Sequence, residues 1–326
     1  MGPLIDALFF AAGLVLLVKS ADWLVLGGAR IAEGLGVRPL VVGLTIVAFG
    51  TSAPELAAGV GAALRDHGEI VIGTVVGSNI ANVALILGVA SLIRPVPCRR
   101  PVVVREMPIM LAAITLGAAA MLGGSVNRWE GVALTAGILV YIALAYRVAR
   151  RAPELFEADA PKLTPPPEGG FPPRWWARNV ALVLLGSAGL ALGAHLLITG
   201  AESLARWLGV SELVIGLTVV AIGTSLPELF TSARAAMTSH SDIAVGNVVG
   251  SNVFNSLCVM GVASLVAPLP VPHASTARDV PVMLGVAALA LFLMAPRKRL
   301  TRPAGLVLLL TYAAYMAALT VVSIRA

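Results

Sequence analysis

Charged and aromatic side chains are scarce in this chain of 326 residues: Asp, Glu, Lys and Arg make up 12% of it, and Phe, Trp and Tyr 5%. Soluble domains carry about a quarter charged residues, so an ordinary water-soluble protein is excluded. The only two cysteines, Cys98 and Cys258, fall in different segments with no C-x-x-C pairing. They read as free thiols and reveal no redox compartment. Strand-like alternation is missing, which argues against a membrane barrel. No H-E-x-x-H or G-x-S-x-G pattern supports an intramembrane enzyme, and no D-x-D-x-D-G calcium loop occurs.

What is present is apolar length. Hydrophobic residues make up 58% of the chain and mean hydropathy is +0.91. A transmembrane helix needs about 20 apolar residues, and ten such segments are predicted: Leu4–Ala29, Pro39–Ala63, Ile70–Ile93, Met107–Gly124, Gly131–Val148, Ala177–Leu204, Glu212–Met237, Ile243–Val266, Val280–Ala295 and Ala304–Val322. The leader before the first segment carries Asp6 as its single charge, the wrong flank for a cleaved signal peptide. The 33 glycines suit close helix packing in lipid.

The net charge of +6 matters less than its placement. Arg65, Arg128, Arg206, Arg278 and Arg325 lie on one side and Lys19 lies within the first span. All other Lys and Arg fall on the opposite side. The positive-inside rule then puts both termini outside a plasma (inner) membrane. Nucleic acid is not a partner implied by this basicity; the lipid bilayer is.

The chain repeats itself. Gly43–Leu56 (GLTIVAFGTSAPEL) returns as Gly216–Leu229 (GLTVVAIGTSLPEL), and Gly73–Asn82 (GTVVGSNIAN) as Gly246–Asn255 (GNVVGSNVFN), all at one constant offset. Between the copies, Pro153–Pro173 holds a third of all prolines and reads as an extended cytoplasmic linker. The expected organisation is a first five-helix repeat over 1–152, a Pro-rich linker over 153–174 and a second repeat over 175–326. An odd number of spans per half inverts the second relative to the first. The fold class expected is therefore an all-α membrane protein of ten transmembrane helices in two inverted five-helix repeats, with helices broken near the midplane.

Each copy sets one carboxylate, Glu55 or Glu228, inside an apolar run. An acidic residue at membrane depth costs about 2.5–3.5 kcal/mol on insertion scales and marks a functional site by default. Ser52-x-x-Glu55 and Ser225-x-x-Glu228 are also formal helix-capping boxes, the structural alternative to a binding role. Their location favours binding: Pro54 and Pro227 break the hydrogen-bond ladder, freeing carbonyl oxygens beside the carboxylates. Such oxygens suit a hard cation such as Ca2+, with Na+ as competitor. In the second block, Ser78 and Asn82 share a helix face, as do Ser251 and Asn255, and add neutral donors. Asn79 and Asn252 read as structural, bonding to broken backbone.

The paired GTSxPE and GSNxxN blocks resemble those of the cation/calcium exchanger superfamily, in particular its prokaryotic sodium/calcium exchangers, and the likeness extends to span count and linker position. It implies a secondary antiporter exchanging Ca2+ for Na+ by alternating access, with no enzymatic activity and no cofactor beyond transported Ca2+ and Na+, functional as a monomer. The alternatives are a proton-coupled exchanger of Ca2+ or another cation and, behind it, a cation channel built on the same carboxylates. By the resemblance, the cation ligands are Glu55 and Glu228, the hydroxyls of Thr51, Ser52, Ser78, Thr224, Ser225 and Ser251, the carbonyls of Ala48 and Ala221, and Asn82 with Asn255. The first and sixth helices are implied to slide across the other eight. Many such exchangers carry Asp where this chain has Asn255. The central linker is too short for the calcium-sensing domains of animal exchangers. Outside the blocks, Lys19 and Asp22 read as a local ion pair, and His195 is the offset partner of Asp22.

Overall fold

The structure, a computed structural model, describes residues 3–98, 100–151, 170–209, 223–238, 240–273, 275–296 and 298–325. It is all-helical apart from four two-residue strands. The helices are α1 (Pro3–Leu35), α2 (Pro39–Ala63), α3 (Gly68–Ile93), α4 (Val102–Met121), α5 (Arg128–Arg151), α6 (Pro173–Trp207), α7 (Leu226–Met237), α8 (Ser241–Val266), α9 (Thr276–Met294) and α10 (Arg302–Arg325). Among the described residues, nine are long and apolar enough to cross a membrane. Those nine overlap nine of the predicted segments. For the seventh, predicted over Glu212–Met237, only its last part is described, as α7; residues 210–222 lie outside the described residues, as does most of the predicted linker.

The longest two helices, α1 (33 residues) and α6 (35 residues), run antiparallel and pack backbone to backbone. A Cβ built on Gly200 would meet Phe10 N at 2.5 Å, one on Gly193 would meet Leu17 N at 2.9 Å, and one on Gly186 would meet Leu24 N at 2.8 Å. Glycines at seven-residue intervals thus form a seam no side chain could enter, the small-residue packing that replaces hydrophobic driving force in lipid. A second close approach joins α2 to α8. Gly246 lies against Leu40 O and Leu44 N, and Gly250 against Leu44 O and Ala48 Cβ. Residue numbers rise together along that seam, so α2 and α8 run parallel.

The short strands tie the repeats crosswise. β1 (Val96–Pro97) pairs antiparallel with β4 (Arg299–Leu300), and β2 (Ser125–Val126) with β3 (Leu269–Pro270). Helical irregularities repeat as well. Wide π turns occur at Asn82–Ile86 and Phe254–Val259, and again at Val102–Glu106 and Ser275–Asp279. A π turn inserts one residue into the ladder and re-aims the side chains around it, and it clusters at functional sites. α8 is the most enclosed span, 83% buried in its apolar window, whereas α10 is only 17% buried and faces outward. Both cysteines are free. Cys98, in the connection before α4, has its thiol pushed up to about 12 by burial, so it stays protonated and unreactive at neutral pH.

Candidate cation-binding site

The α2–α8 seam sets the geometry of the site. Because glycines let the two backbones touch, Thr51 on α2 reaches α8: its hydroxyl lies 3.1 Å from Asn247 Oδ1 and 3.4 Å from Ser251 Oγ. The same hydroxyl lies 3.2 Å from Ala48 O one turn back. One residue on, Ser52 Oγ donates to Glu228 Oε1 at 3.1 Å, joining α2 to α7. Glu55 sits one turn beyond Thr51 on the same face and is close enough to Glu228 for the two carboxylates to repel when both are ionised.

The group is buried. Glu55 is 3% exposed and Glu228 1%, and Ala48, Thr51, Ser52, Ser78, Asn82, Ser225, Ser251 and Asn255 are all buried. Many of their polar atoms have no partner among the described residues: both Glu55 oxygens, Glu228 Oε2, the hydroxyls of Ser78 and Ser225, and the side-chain amides of Asn82 and Asn255. Each such group costs about 1–3 kcal/mol if left unmet. A cluster of unmet oxygens around two carboxylates is what a dehydrated hard cation would satisfy. Among the described residues no group of three or more His, Cys, Asp or Glu could hold a metal ion. The donor set is oxygen-only with two charges, the wrong chemistry for a tightly kept transition metal.

The capping alternative is not what the structure shows. Ser52 lies inside the helical stretch Ala48–Ala63, away from any helix start, and its hydroxyl goes to Glu228. Ser225 does precede α7, with Pro227 in the first turn, but makes no side-chain capping bond. Midplane breaks were expected in both copies; α2 instead runs helically through Pro54, its irregularity shifted to a π turn at Gly43–Val47.

Two expected residues stand apart. Thr224 is exposed, unlike its twin Thr51, and Ala221 lies outside the described residues. Asn252 donates to Val248 O at 2.7 Å, a backbone bond, whereas Asn79 donates to Ser256 Oγ at 2.8 Å, a side chain. Asp22 reaches Arg234 of α7, its Oδ1 accepting from Nε at 2.6 Å, rather than closing on Lys19. The residue that the sequence reading passed over is Asn247. Fully buried, it accepts from Thr51 and donates to Ser232 Oγ at 3.0 Å. Its signal was available: the duplicated block has Thr74 at the equivalent position, so a polar side chain stands there in both copies.

These features define a multi-pass helical membrane protein with a cluster of unpartnered oxygens around two carboxylates, buried between two related sets of helices. Comparison with known proteins gives the family. The profile described as "Sodium/calcium exchanger protein" matches residues 5–147 and 178–321, and the chain belongs to that family of cation/Ca2+ antiporters. It is 38% identical to the putative antiporter CaxA of Alkalimonas amylolytica, over 96% of this chain and 98% of that one. It is 34% identical to the sodium/calcium exchanger MaX1 of Methanosarcina acetivorans, over 97% and 98% of the two chains. A solved structure of the sodium-calcium exchanger NCX_Mj, soaked with 10 mM Na+ and zero Ca2+, superposes with a TM-score of 0.83 at 29% identity, covering 98% of this chain and all of that one.

Proposed function

We propose that this chain exchanges Ca2+ for Na+ across the plasma (inner) membrane by alternating access, as a monomer with both termini outside. The observation that carries this is the meeting of Glu55 and Glu228 with unmet hydroxyl and amide oxygens in one buried cluster. Two carboxylates are balanced by one Ca2+ or by two monovalent cations, so the two substrates compete for the same oxygens. The ligands are Glu55, Glu228, Thr51, Ser52, Ser78, Asn82, Thr224, Ser225, Ser251 and Asn255, with the Ala48 and Ala221 carbonyls. An ion-free site holds two uncompensated charges, which resist enclosure in low dielectric; the change of face therefore proceeds only when they are neutralised.

An inverted arrangement of two five-helix halves, ten helices in all and joined by the 153–174 linker, is supported by two features. The offset-related helices α1 and α6 run antiparallel, and the short strands pair crosswise. Proton-coupled Ca2+ exchange is the second reading, favoured by the absence, among the described residues, of any hydrogen-bond partner for the Glu55 side chain, whose oxygens a proton could occupy as readily as a metal.

Radiocalcium uptake into proteoliposomes decides between them. An outward Na+ gradient should drive uptake, and matched K+ or proton gradients should not. Uptake driven by protons alone would establish the second reading, and uptake with no counter-gradient would make the protein a channel.

A further inference from the structure

The two copies of the site are equal in sequence and unequal in exposure, and the inequality has a direction. On α2, the face that carries Glu55 continues to Thr51 one turn before and Ala58 one turn after. Thr51 is buried and Ala58 is exposed. On α7, the equivalent positions around Glu228 are Thr224 and Thr231. Here Thr224 is exposed and Thr231 is fully buried. The pattern is reversed along the chain.

In space it is not reversed. α2 runs parallel to α8, and α7 turns back into α8 through a connection of three residues, Thr238–His240. α2 and α7 are therefore antiparallel. Ala58 and Thr224 lie toward one face of the membrane and Thr51 and Thr231 toward the other. Both exposed positions share a face, and so do both buried ones. Side-chain exposure beside the two acids is thus confined to one end of the site.

The buried end carries a charged link. One turn past Thr231, Arg234 binds Asp22 of α1, with Nε and Nη2 both directed at Oδ1 at 2.6 and 2.5 Å. Both side chains are about two-thirds buried. At the exposed end the offset-related positions are Gly61 for Arg234 and His195 for Asp22. Glycine has no side chain to offer, and His195 is exposed. The repeat therefore places an ion pair across one end and none at the offset-related positions of the other.

We propose that Asp22 and Arg234 form a latch that closes the site on the Arg234 side, and that the structure is the state open on the Ala58 side. The inference rests on the alternating-access reading above. α1, joined to α6 along its glycine seam, is held to α7 by this pair and must release it for the site to open the other way. Because the offset-related positions at the opposite end hold no equivalent pair, the latch biases the resting equilibrium toward the state seen here. The two residues position helices; neither belongs to the cation ligands.

The test uses the full-length chain with Cys98 and Cys258 replaced by Ala, reconstituted and probed with an impermeant maleimide from each face. Ala58→Cys should label readily and Thr231→Cys poorly. Asp22→Asn, in the same background, should raise labelling at Thr231→Cys roughly 5- to 100-fold, the range of ordinary conformational couplings, and lower it at Ala58→Cys. The charge swap Asp22→Arg with Arg234→Asp should restore the parent ratio. A parent in which Thr231→Cys is the reactive position overturns the state assignment. An unchanged ratio in Asp22→Asn, or a swap that behaves like the single variants, overturns the latch. Labelling does not depend on which ions are exchanged. A shift in labelling without Na+-driven Ca2+ uptake would leave the latch standing and overturn the proposed function; uptake without a shift would do the opposite.

Discussion

GTSAPE on α2 and GTSLPE on α7 differ by one residue, and the fold treats them differently. The first lies within continuous helix, with Thr51 buried; the second spans a helix start at Leu226, with Thr224 exposed. What they share is the placement of the acid: Glu55 and Glu228 are both buried in the same cluster. The shared sequence determines the chemistry at the centre, while conformation at either side depends on which neighbouring helix is packed against it. Under the alternating access proposed above, two near-identical motifs in unequal surroundings are expected, each copy taking in one state the surroundings that its twin has in the other.

The sharpest break in this comparison is removal of the shared centre. Glu55→Gln and Glu228→Gln keep side-chain shape and an acceptor oxygen but leave one carboxylate for a divalent ion. Each should abolish Na+-driven Ca2+ uptake in proteoliposomes while the protein still purifies as a folded species. If both single variants transport at the parent rate, neither carboxylate is a ligand.

Next in size is the seam that brings α8 to α2. A Cβ at Gly250 would stand 2.5 Å from Leu44 O and 2.6 Å from Ala48 Cβ, contacts that backbone cannot relieve cheaply. Gly250→Val should destabilise by about 1–3 kcal/mol or more, as overpacking does, lowering the thermal unfolding midpoint. It should also weaken cation binding, because Thr51 is carried away from Ser251. An unaltered melting curve would show that the seam closes only loosely.

A smaller effect is expected at Asn247. Its amide orients Thr51 from one side and is held by Ser232 on the other; the equivalent residue in the first copy is Thr74. Asn247→Ala leaves two buried hydroxyls without this partner and should weaken apparent Na+ or Ca2+ affinity by roughly 5- to 10-fold, on the order of one hydrogen bond. Asn247→Thr, copying the first repeat, should recover part of it. Equal affinities in all three proteins would reduce Asn247 to packing.

The order of these effects follows what a sequence can disclose. The spans were legible because lipid demands about 20 apolar residues per crossing, and the buried acids were legible because lipid makes them costly. Local rules were less informative. Pro54 signalled a break, yet the helix absorbs it after a π turn at Gly43–Val47. Asp22 had Lys19 nearby in sequence, yet its carboxylate meets Arg234, 212 positions away. The glycines of α6 were countable, but their partner α1 was not, since a seam of backbone contacts leaves no complementary pattern in the facing helix. Which end of the site is exposed is a property of helix packing and is written in no single motif.

The smallest effect concerns the one place where the two copies agree and the wider resemblance does not. Asn82 and Asn255 both sit at π turns, both are buried, and both side-chain amides lack a partner among the described residues. Many exchangers of this type carry Asp at the position of Asn255. An amide supplies a carbonyl oxygen and no charge, so the site as proposed would be balanced by one Ca2+ or two monovalent cations. Asn255→Asp makes the copies unequal in charge and gives the site a third group able to take up a proton. If that group ionises, Ca2+ uptake in the variant should become more sensitive to acidification, since protons then compete with cations for it. The exchange reversal potential should move as well, because the charge to be balanced has changed. A carboxyl that stays protonated beside Glu55 and Glu228 would mimic the amide and leave flux, pH profile and voltage dependence at parent values. In that case the difference between Asn and Asp here carries no functional weight, and the two asparagines serve as a matched pair of neutral ligands.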